Sequence, residues 1–222
     1  MPLLEVTGLH LFLRGDQGAV QALRHVSFKL ERGHALGIIG ESGSGKSLTV
    51  QTLMGLQPDN ASVTGSMLWN GQELVGQSES AWQALRGNRM AMVFQEPMTA
   101  LNPVHTIGRQ VAEPMIRHQG LSRAAALRRA TDLLGRVGIP NASARVDDYP
   151  HQFSGGQRQR ITIAMALACE PDLLIADEPT TALDVTVQQQ ILDLINDVVA
   201  ERDMALILIS HDLGVISQNV DD

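Results

Sequence analysis

The chain has 222 residues, 44% hydrophobic and 18% charged, with a formal net charge of −7. That length suits one large or two small domains around a substantial core, and the acidic balance argues against general nucleic-acid binding, which rests on phosphate neutralisation. No apolar run approaches the roughly 20 residues of a membrane span, and Met1-Pro2-Leu3-Leu4-Glu5 lacks the basic start and apolar region of a signal peptide, so the cytosol is the expected compartment.

In chain order, 3–13 and 22–30 read as strands, since Val26, Phe28 and Leu30 alternate with Ser27 and Lys29, and Gly15-Asp16-Gln17-Gly18 supplies turn residues between them. An antiparallel pair feeding the next strand is the simplest arrangement. That next strand is Ala35-Leu36-Gly37-Ile38-Ile39. It runs directly into Gly40-Glu41-Ser42-Gly43-Ser44-Gly45-Lys46-Ser47, which fits the phosphate-loop pattern G-x-x-x-x-G-K-[ST]. The glycines let successive N–H groups point into one concavity, and the helix opening near Lys46 adds the positive end of its dipole. Lys46 is suited to the β- and γ-phosphates of a nucleotide, and the Ser47 hydroxyl to Mg²⁺.

Residues 47–56 read as a helix ending near Pro58. A strand over 63–69, a tight turn at Asn70-Gly71 and a short return over 72–74 follow. The apolar run 90–94 reads as a buried strand with Gln95 at its C-terminal end, where ligand contacts of open α/β sheets gather. From about 96 to 156 the pattern is helical, with helices over 107–118 and 122–137 and Ser122 as N-cap, which suggests a helical subdomain inserted into an α/β core. Strand 173–177, helix 185–202 and strand 205–210 then imply a mainly parallel sheet. Arg123, Arg128 and Arg129, like Arg158 and Arg160, read as solvated helix faces. The seven histidines show no metal-ligand spacing, and Cys169, at the end of the apolar stretch 161–168, reads as a small buried residue.

Two further constellations carry chemistry. Asp177 ends the strand 173–177, where a carboxylate can support a Mg²⁺ hydration shell, and Glu178 follows it, pointing differently and able to orient or deprotonate an attacking water. Ser154-Gly155-Gly156-Gln157 opens the helix that runs to about Cys169. It offers N–H groups, a hydroxyl and a positive dipole end to an anion.

The ordered set of phosphate loop, Gln95, Ser154-Gly155-Gly156-Gln157, Asp177-Glu178, Thr181-Ala182-Leu183-Asp184 and His211 resembles the nucleotide-binding domain of ATP-binding cassette (ABC) transporters over essentially the whole chain. The resemblance implies a P-loop NTPase fold with a mainly parallel sheet, an N-terminal antiparallel β part and an inserted helical subdomain. It divides a single domain, 1–222, into a core of 1–95 and 157–222 and a helical part of about 96–156. ATP and Mg²⁺ are the implied ligands. Residues 40–47 with Lys46 and Ser47 would hold phosphate, Ser47, Gln95 and Asp177 the metal, Glu178 would act as general base, and His211 would contact the γ-phosphate. Ser154, Gly155, Gly156 and Gln157 would cover nucleotide bound to another subunit in a head-to-tail dimer, with Asp184 communicating across it. The family's adenine-stacking aromatic falls by spacing on Leu13, with Phe12 on the opposite side of the strand. The family also continues beyond His211 with a further strand and helix, so 1–222 is expected to lack the C-terminal end of the usual domain.

Gln95-Glu96-Pro97-Met98-Thr99-Ala100-Leu101-Asn102-Pro103, Asp148-Tyr149-Pro150-His151-Gln152 and Asp184-Val185-Thr186-Val187-Gln188 are similar to the ATPases of bacterial importers for di- and oligopeptides, glutathione and nickel. By that resemblance the chain is an ATPase at the cytoplasmic face of the bacterial inner membrane. Its partners would be permease subunits and, indirectly, an extracytoplasmic solute-binding protein, not nucleic acid. Peptide is the expected cargo, with nickel or glutathione as alternatives. A cassette ATPase acting on DNA or ribosomes is the competing class.

Overall fold

A computed structural model of the chain describes residues 1–15, 18–181 and 183–221, with backbone alone at Pro97, Met98 and Gln218. In chain order the elements are β1 (Leu4–Gly15), β2 (Gly18–Leu30), β3 (Ala35–Ile39), α1 (Lys46–Leu53), β4 (Ala61–Trp69), β5 (Gln72–Glu73), α2 (Glu79–Leu85), β6 (Met90–Val93), α3 (Pro97–Ala100), α4 (Ile107–Gln119), α5 (Arg123–Arg136) and α6 (Ala142–Arg145). A 3-10 turn (Pro150–Gln152) then leads to α7 (Gly155–Leu167), β7 (Leu173–Asp177), α8 (Val185–Arg202), β8 (Ala205–Ser210) and α9 (Leu213–Asn219).

The strands form two sheets. An antiparallel sheet has the order β2-β1-β4-β5 and a parallel one the order β3-β8-β7-β6. The first two strands pair antiparallel in a sheet separate from the parallel one, as expected; the turn expected at Asp16 and Gln17 lies outside the described residues. Asn70 (φ 48°) and Gly71 (φ 80°) both take the left-handed backbone that a tight β4–β5 hairpin requires.

The parallel strands sort their side chains by alternation. In β7, Leu173 and Ile175 face the antiparallel sheet and α1, whereas Leu174 and Ala176 face the helices; in β8, Ala205, Ile207 and Ile209 take the first side, and Leu206 and Leu208 the second. One sheet thus divides two cores. The helical core draws on α4, α5, α7 and α8 through Ile107, Val111, Leu134, Ile161, Ile191 and Ile195, all at most 1% exposed. Among the described residues no strand lies between β6 and β7, in keeping with the helical pattern expected there.

Two expectations need correction, and two helices lie where the sequence offered no reading. Strand β2 begins at Gly18 rather than 22, because pairing with β1 continues to Gly15↔Gly18 through residues without apolar alternation. Helices α2 and α9 have no strong periodic signal; Ser78 and Asp212 cap them, and α2 buries Trp82. Arg158 and Arg160 are not on a solvated face: both are half-buried, with Arg158 Nε donating to Pro150 O (2.8 Å) and Arg160 donating to Val137 O (2.8 Å) and Gln190 Oε1 (2.9 Å). Arg123, Arg128 and Arg129 are exposed, as expected.

Candidate nucleotide site

Because β3, β8, β7 and β6 run parallel, their carboxyl ends open on one edge of the sheet, where ligands of such sheets bind. Gly40 follows β3, His211 follows β8, Asp177 ends β7 with Glu178 next, and Gln95 stands two residues beyond β6. The edge holds a cavity of about 430 Å³ whose lining includes Ser42, Lys46, Ser47, Gln95, Glu178 and His211. Residues expected to cooperate from four separate places in sequence therefore meet in one space.

The loop turns into α1 through Gly43 (φ 81°) and Gly45 (φ 94°), conformations that side chains rarely adopt. Lys46 is 7% exposed; its Nζ donates to Gly40 O (2.7 Å) and Glu41 O (3.0 Å) and stands 3.9 Å from Glu178 Oε1. The Ser47 hydroxyl donates to Asp177 Oδ1 (3.2 Å). Burial pushes the Asp177 carboxyl above its ordinary range, with Glu178 adding to the rise, while the Ser47 hydrogen bond and the Lys46 charge oppose it.

Glu178 is the hub of the cavity. Gln95 Nε2 (3.1 Å) and the Thr181 hydroxyl (3.0 Å) donate to its Oε2, and His211 Nδ1 lies 3.6 Å from the same oxygen. Its φ of 46° is left-handed, uncommon for a residue with a side chain, and its N–H donates to Ile209 O of β8. The bend after Asp177 thus aims consecutive carboxylates at different partners. The sequence pattern assigns no contact to Thr181, whose polar side chain just beyond Glu178 is the only hint of one. Cys169 is buried, its thiol pushed up to about 11 by burial.

Ser154, Gly155, Gly156 and Gln157 do not line this cavity. They cap α7: Ser154 Oγ accepts from Gln157 N (3.3 Å) while Gln157 Oε1 accepts from Ser154 N (3.1 Å). A Cβ on Gly156 would lie 2.7 Å from Val187 Cγ1, so the loop packs closely on α8. Asp184 caps α8, its Oδ1 accepting from Val187 N (3.0 Å), and Ala182 lies outside the described residues. Leu13 pairs with Val20 across β1–β2, half-buried and away from the cavity lining.

Hydroxyl, carboxylate and amide oxygens from Ser47, Asp177 and Gln95 form a hard-oxygen set that suits Mg²⁺. Among the described residues no three His, Cys, Asp or Glu side chains cluster as a metal cage, and no helix is long and apolar enough to cross a membrane.

The sequence pattern of the ABC transporter family matches residues 23–181. A dipeptide transport ATP-binding protein of Lactococcus lactis is 50% identical over 216 residues, which is 96% of this chain and 62% of that protein. A dipeptide transport ATP-binding protein of Bacillus subtilis is 51% identical over 220 residues, 98% of this chain and 66% of the relative. The chain thus spans a little under two thirds of the length of these relatives. Among solved structures, a dimeric bacterial ABC transporter cassette superposes with a TM-score of 0.85 at 26% identity, covering 97% of this chain and 91% of that one. A dimeric cassette in a post-hydrolysis state with ADP and Pi superposes with a TM-score of 0.84 at 26% identity, covering 96% and 89%.

Proposed function

The chain belongs to the ABC transporter family, and we propose that it is the ATP-binding and ATP-hydrolysing part of a subunit that energises a membrane importer for di- or oligopeptides. The observation that carries the reading is the meeting of Lys46, Ser47, Gln95, Asp177, Glu178 and His211 at the carboxyl edge of the parallel sheet. In this reading residues 40–47 cradle the triphosphate with backbone N–H groups, and Lys46 exchanges its loop carbonyls for phosphate oxygens. Glu178, held by Gln95 and Thr181, orients the attacking water and takes its proton, and His211 stands beside it toward the γ-phosphate. When bound, Mg²⁺ supplies charge neutralisation across the phosphates, and Ser47, Asp177 and Gln95 would hold it.

The signature Ser154-Gly155-Gly156-Gln157 stands away from the cavity of its own chain, which supports a site completed by a second subunit in a head-to-tail dimer. In the same reading, residues 1–95 and 157–222 form the nucleotide-binding core, and about 96–156 form the helical part that meets a permease. An apolar cleft of about 260 Å³ supports that contact: it is lined by Met54, Phe94, Ala100, Pro114 and Met165 and adjoins the segment after Gln95, a fit for a short helix. The chain would then work at the cytoplasmic face of the membrane. ATP favours alternating access there by stabilising the closed dimer. Peptide as cargo is supported by the names of the relatives.

The test is Glu178→Gln. The expected result, with permease present, is loss of turnover by about 10²- to 10⁴-fold, the range for a general base, together with an ATP-dependent dimer that persists. Unchanged turnover would reject Glu178 as the base.

A further inference from the structure

Thr181 belongs to the turn that carries Glu178, and neither the phosphate loop nor the Mg²⁺ set uses it. Its N–H donates to Glu178 O (3.1 Å) and closes that turn, while its hydroxyl donates not to a carbonyl but to Glu178 Oε2 (3.0 Å). A threonine that served the turn alone would bond its own or a neighbouring backbone group. This one addresses the carboxylate.

The segment that holds Thr181 is itself fixed. Gln188 Nε2 of α8 donates to Thr180 O (3.2 Å) and Leu183 O (3.0 Å), which flank Thr181 in sequence, and Asp184 caps the same helix through Val187 N (3.0 Å). Gln188 lies outside the cavity lining. Its amide braces the turn from behind.

The two oxygens of Glu178 are held unequally. Oε2 accepts from Gln95 Nε2 (3.1 Å) and from Thr181, and His211 Nδ1 lies 3.6 Å from it. Oε1 accepts no hydrogen bond among the described residues and faces Lys46 Nζ at 3.9 Å. Gln95 leads into the helical part and His211 follows β8, so both sit on segments other than that of Glu178. Of the groups around Oε2, Thr181 alone stands in the same turn, three positions on (181 − 178). Its anchor stays with the carboxylate however the other segments move.

We propose that Thr181, braced by Gln188, is a positioning residue: it pins Oε2 and leaves Oε1 to the attacking water. This rests on the reading of Glu178 as general base. Lys46 turns to the phosphates when nucleotide binds, which uncovers Oε1. The water oxygen then joins the γ-phosphorus, its proton passes to Oε1, and the bond from that phosphorus to ADP breaks. A carboxylate free to rotate would seldom present Oε1 in line, and small misplacements of a reacting group cost up to about 100-fold.

The test is hydrolysis of ATP by the full chain with permease present. Thr181→Val, which nearly keeps the shape but removes the hydroxyl, should lower kcat about 10- to 100-fold with KM for ATP within about twofold. Thr181→Ser returns the hydroxyl and should recover kcat to within about threefold. In the Glu178→Gln background, Thr181→Val should cause no further loss in single-turnover hydrolysis, because it acts through the carboxylate. Unchanged kcat in Thr181→Val, a further loss beyond that of Glu178→Gln, or a loss that Thr181→Ser leaves in place would overturn the positioning role while leaving Glu178 as base. So would a Thr181→Val chain that loses ATP affinity and melting temperature in step with kcat. If Glu178→Gln itself keeps full turnover, the base reading falls and the role of Thr181 falls with it.

Discussion

Ser47 donates its hydroxyl to Asp177 at 3.2 Å across 130 positions of sequence, tying the start of α1 to the end of β7. That bond opposes the burial that raises the Asp177 carboxyl, and burial prevails. The folded pKa lies above the unfolded one, so within that window the folded chain binds more protons and stability falls as pH rises from the ordinary 3.8 through the raised value. At neutral pH the Asp177 charge therefore opposes folding. Asp177→Asn should raise the melting temperature at neutral pH and flatten this part of the pH–stability curve, while lowering Mg²⁺ affinity about 10- to 100-fold. Melts across the acidic range and a Mg²⁺ titration check it; a lower melting temperature at neutral pH would contradict the assignment.

Two buried glutamines should respond with opposite signs. Gln110 is fully used: its Oε1 accepts from Asn102 N (2.8 Å) and its Nε2 donates to Asn102 O (3.0 Å) and His105 O (2.9 Å). Gln159 is 1% exposed, with neither amide atom hydrogen-bonded among the described residues. Gln110→Leu removes the side-chain partner of Asn102 N and His105 O in a part-buried loop, while Asn102 O keeps His105 N, and should cost about 0.5–1.5 kcal/mol, whereas Gln159→Leu should be neutral or stabilising by about 1–2 kcal/mol. Denaturant unfolding of both variants measures this. A large loss at Gln159 would show that its amide has partners in solution.

Gly156 and Val187 should be energetically coupled. With a Cβ at Gly156 only 2.7 Å from Val187 Cγ1, Gly156→Ala overpacks the α7–α8 contact and should cost about 1–3 kcal/mol. Val187→Ala removes the clashing methyl groups. The double variant should therefore lose less than the sum of the two single losses, by at least about 0.5 kcal/mol. Additive losses would mean that the signature loop moves away rather than meeting Val187.

Cys169 should be chemically silent in the folded chain. Burial holds its thiol near 11, so at pH 8 only about one molecule in a thousand carries the reactive thiolate, and that group is covered. Labelling by a disulfide reagent should track unfolding in a denaturant series. Rapid stoichiometric labelling without denaturant would mean that the end of α7 opens readily.

Elements were legible wherever an apolar run had sharp ends. β7, α8 and β8 coincide with the ranges read from sequence, because their termini carry Asp177, the Asp184 cap and Asp203 in the left-handed region. Helix α1 stops at Leu53, three residues short of the expected 56, because Gly55 turns left-handed against the Trp82 ring. Trp82 belongs to α2, a helix with too few turns to show a period. Such boundaries come from contacts between elements, which local propensity does not contain.

By itself the sequence determined which atoms are available to the chemistry: a glycine loop ahead of Lys46 and Ser47, adjacent carboxylates at a strand end, a capped Ser-Gly-Gly-Gln helix. Each is a local pattern, and local backbone preferences suffice to form it. The tertiary structure decided what those atoms face. The strand order β3-β8-β7-β6 sets β3 beside the last strand and runs the other two back in reverse; it brings Gln95 and Lys46 onto Glu178 from 83 and 132 (178 − 46) positions away. It also keeps Ser154 outside the cavity of its own chain. Parallel strands can be joined only by long crossovers, so the neighbours at their carboxyl ends are necessarily remote in sequence, and packing of both sheet faces selects them.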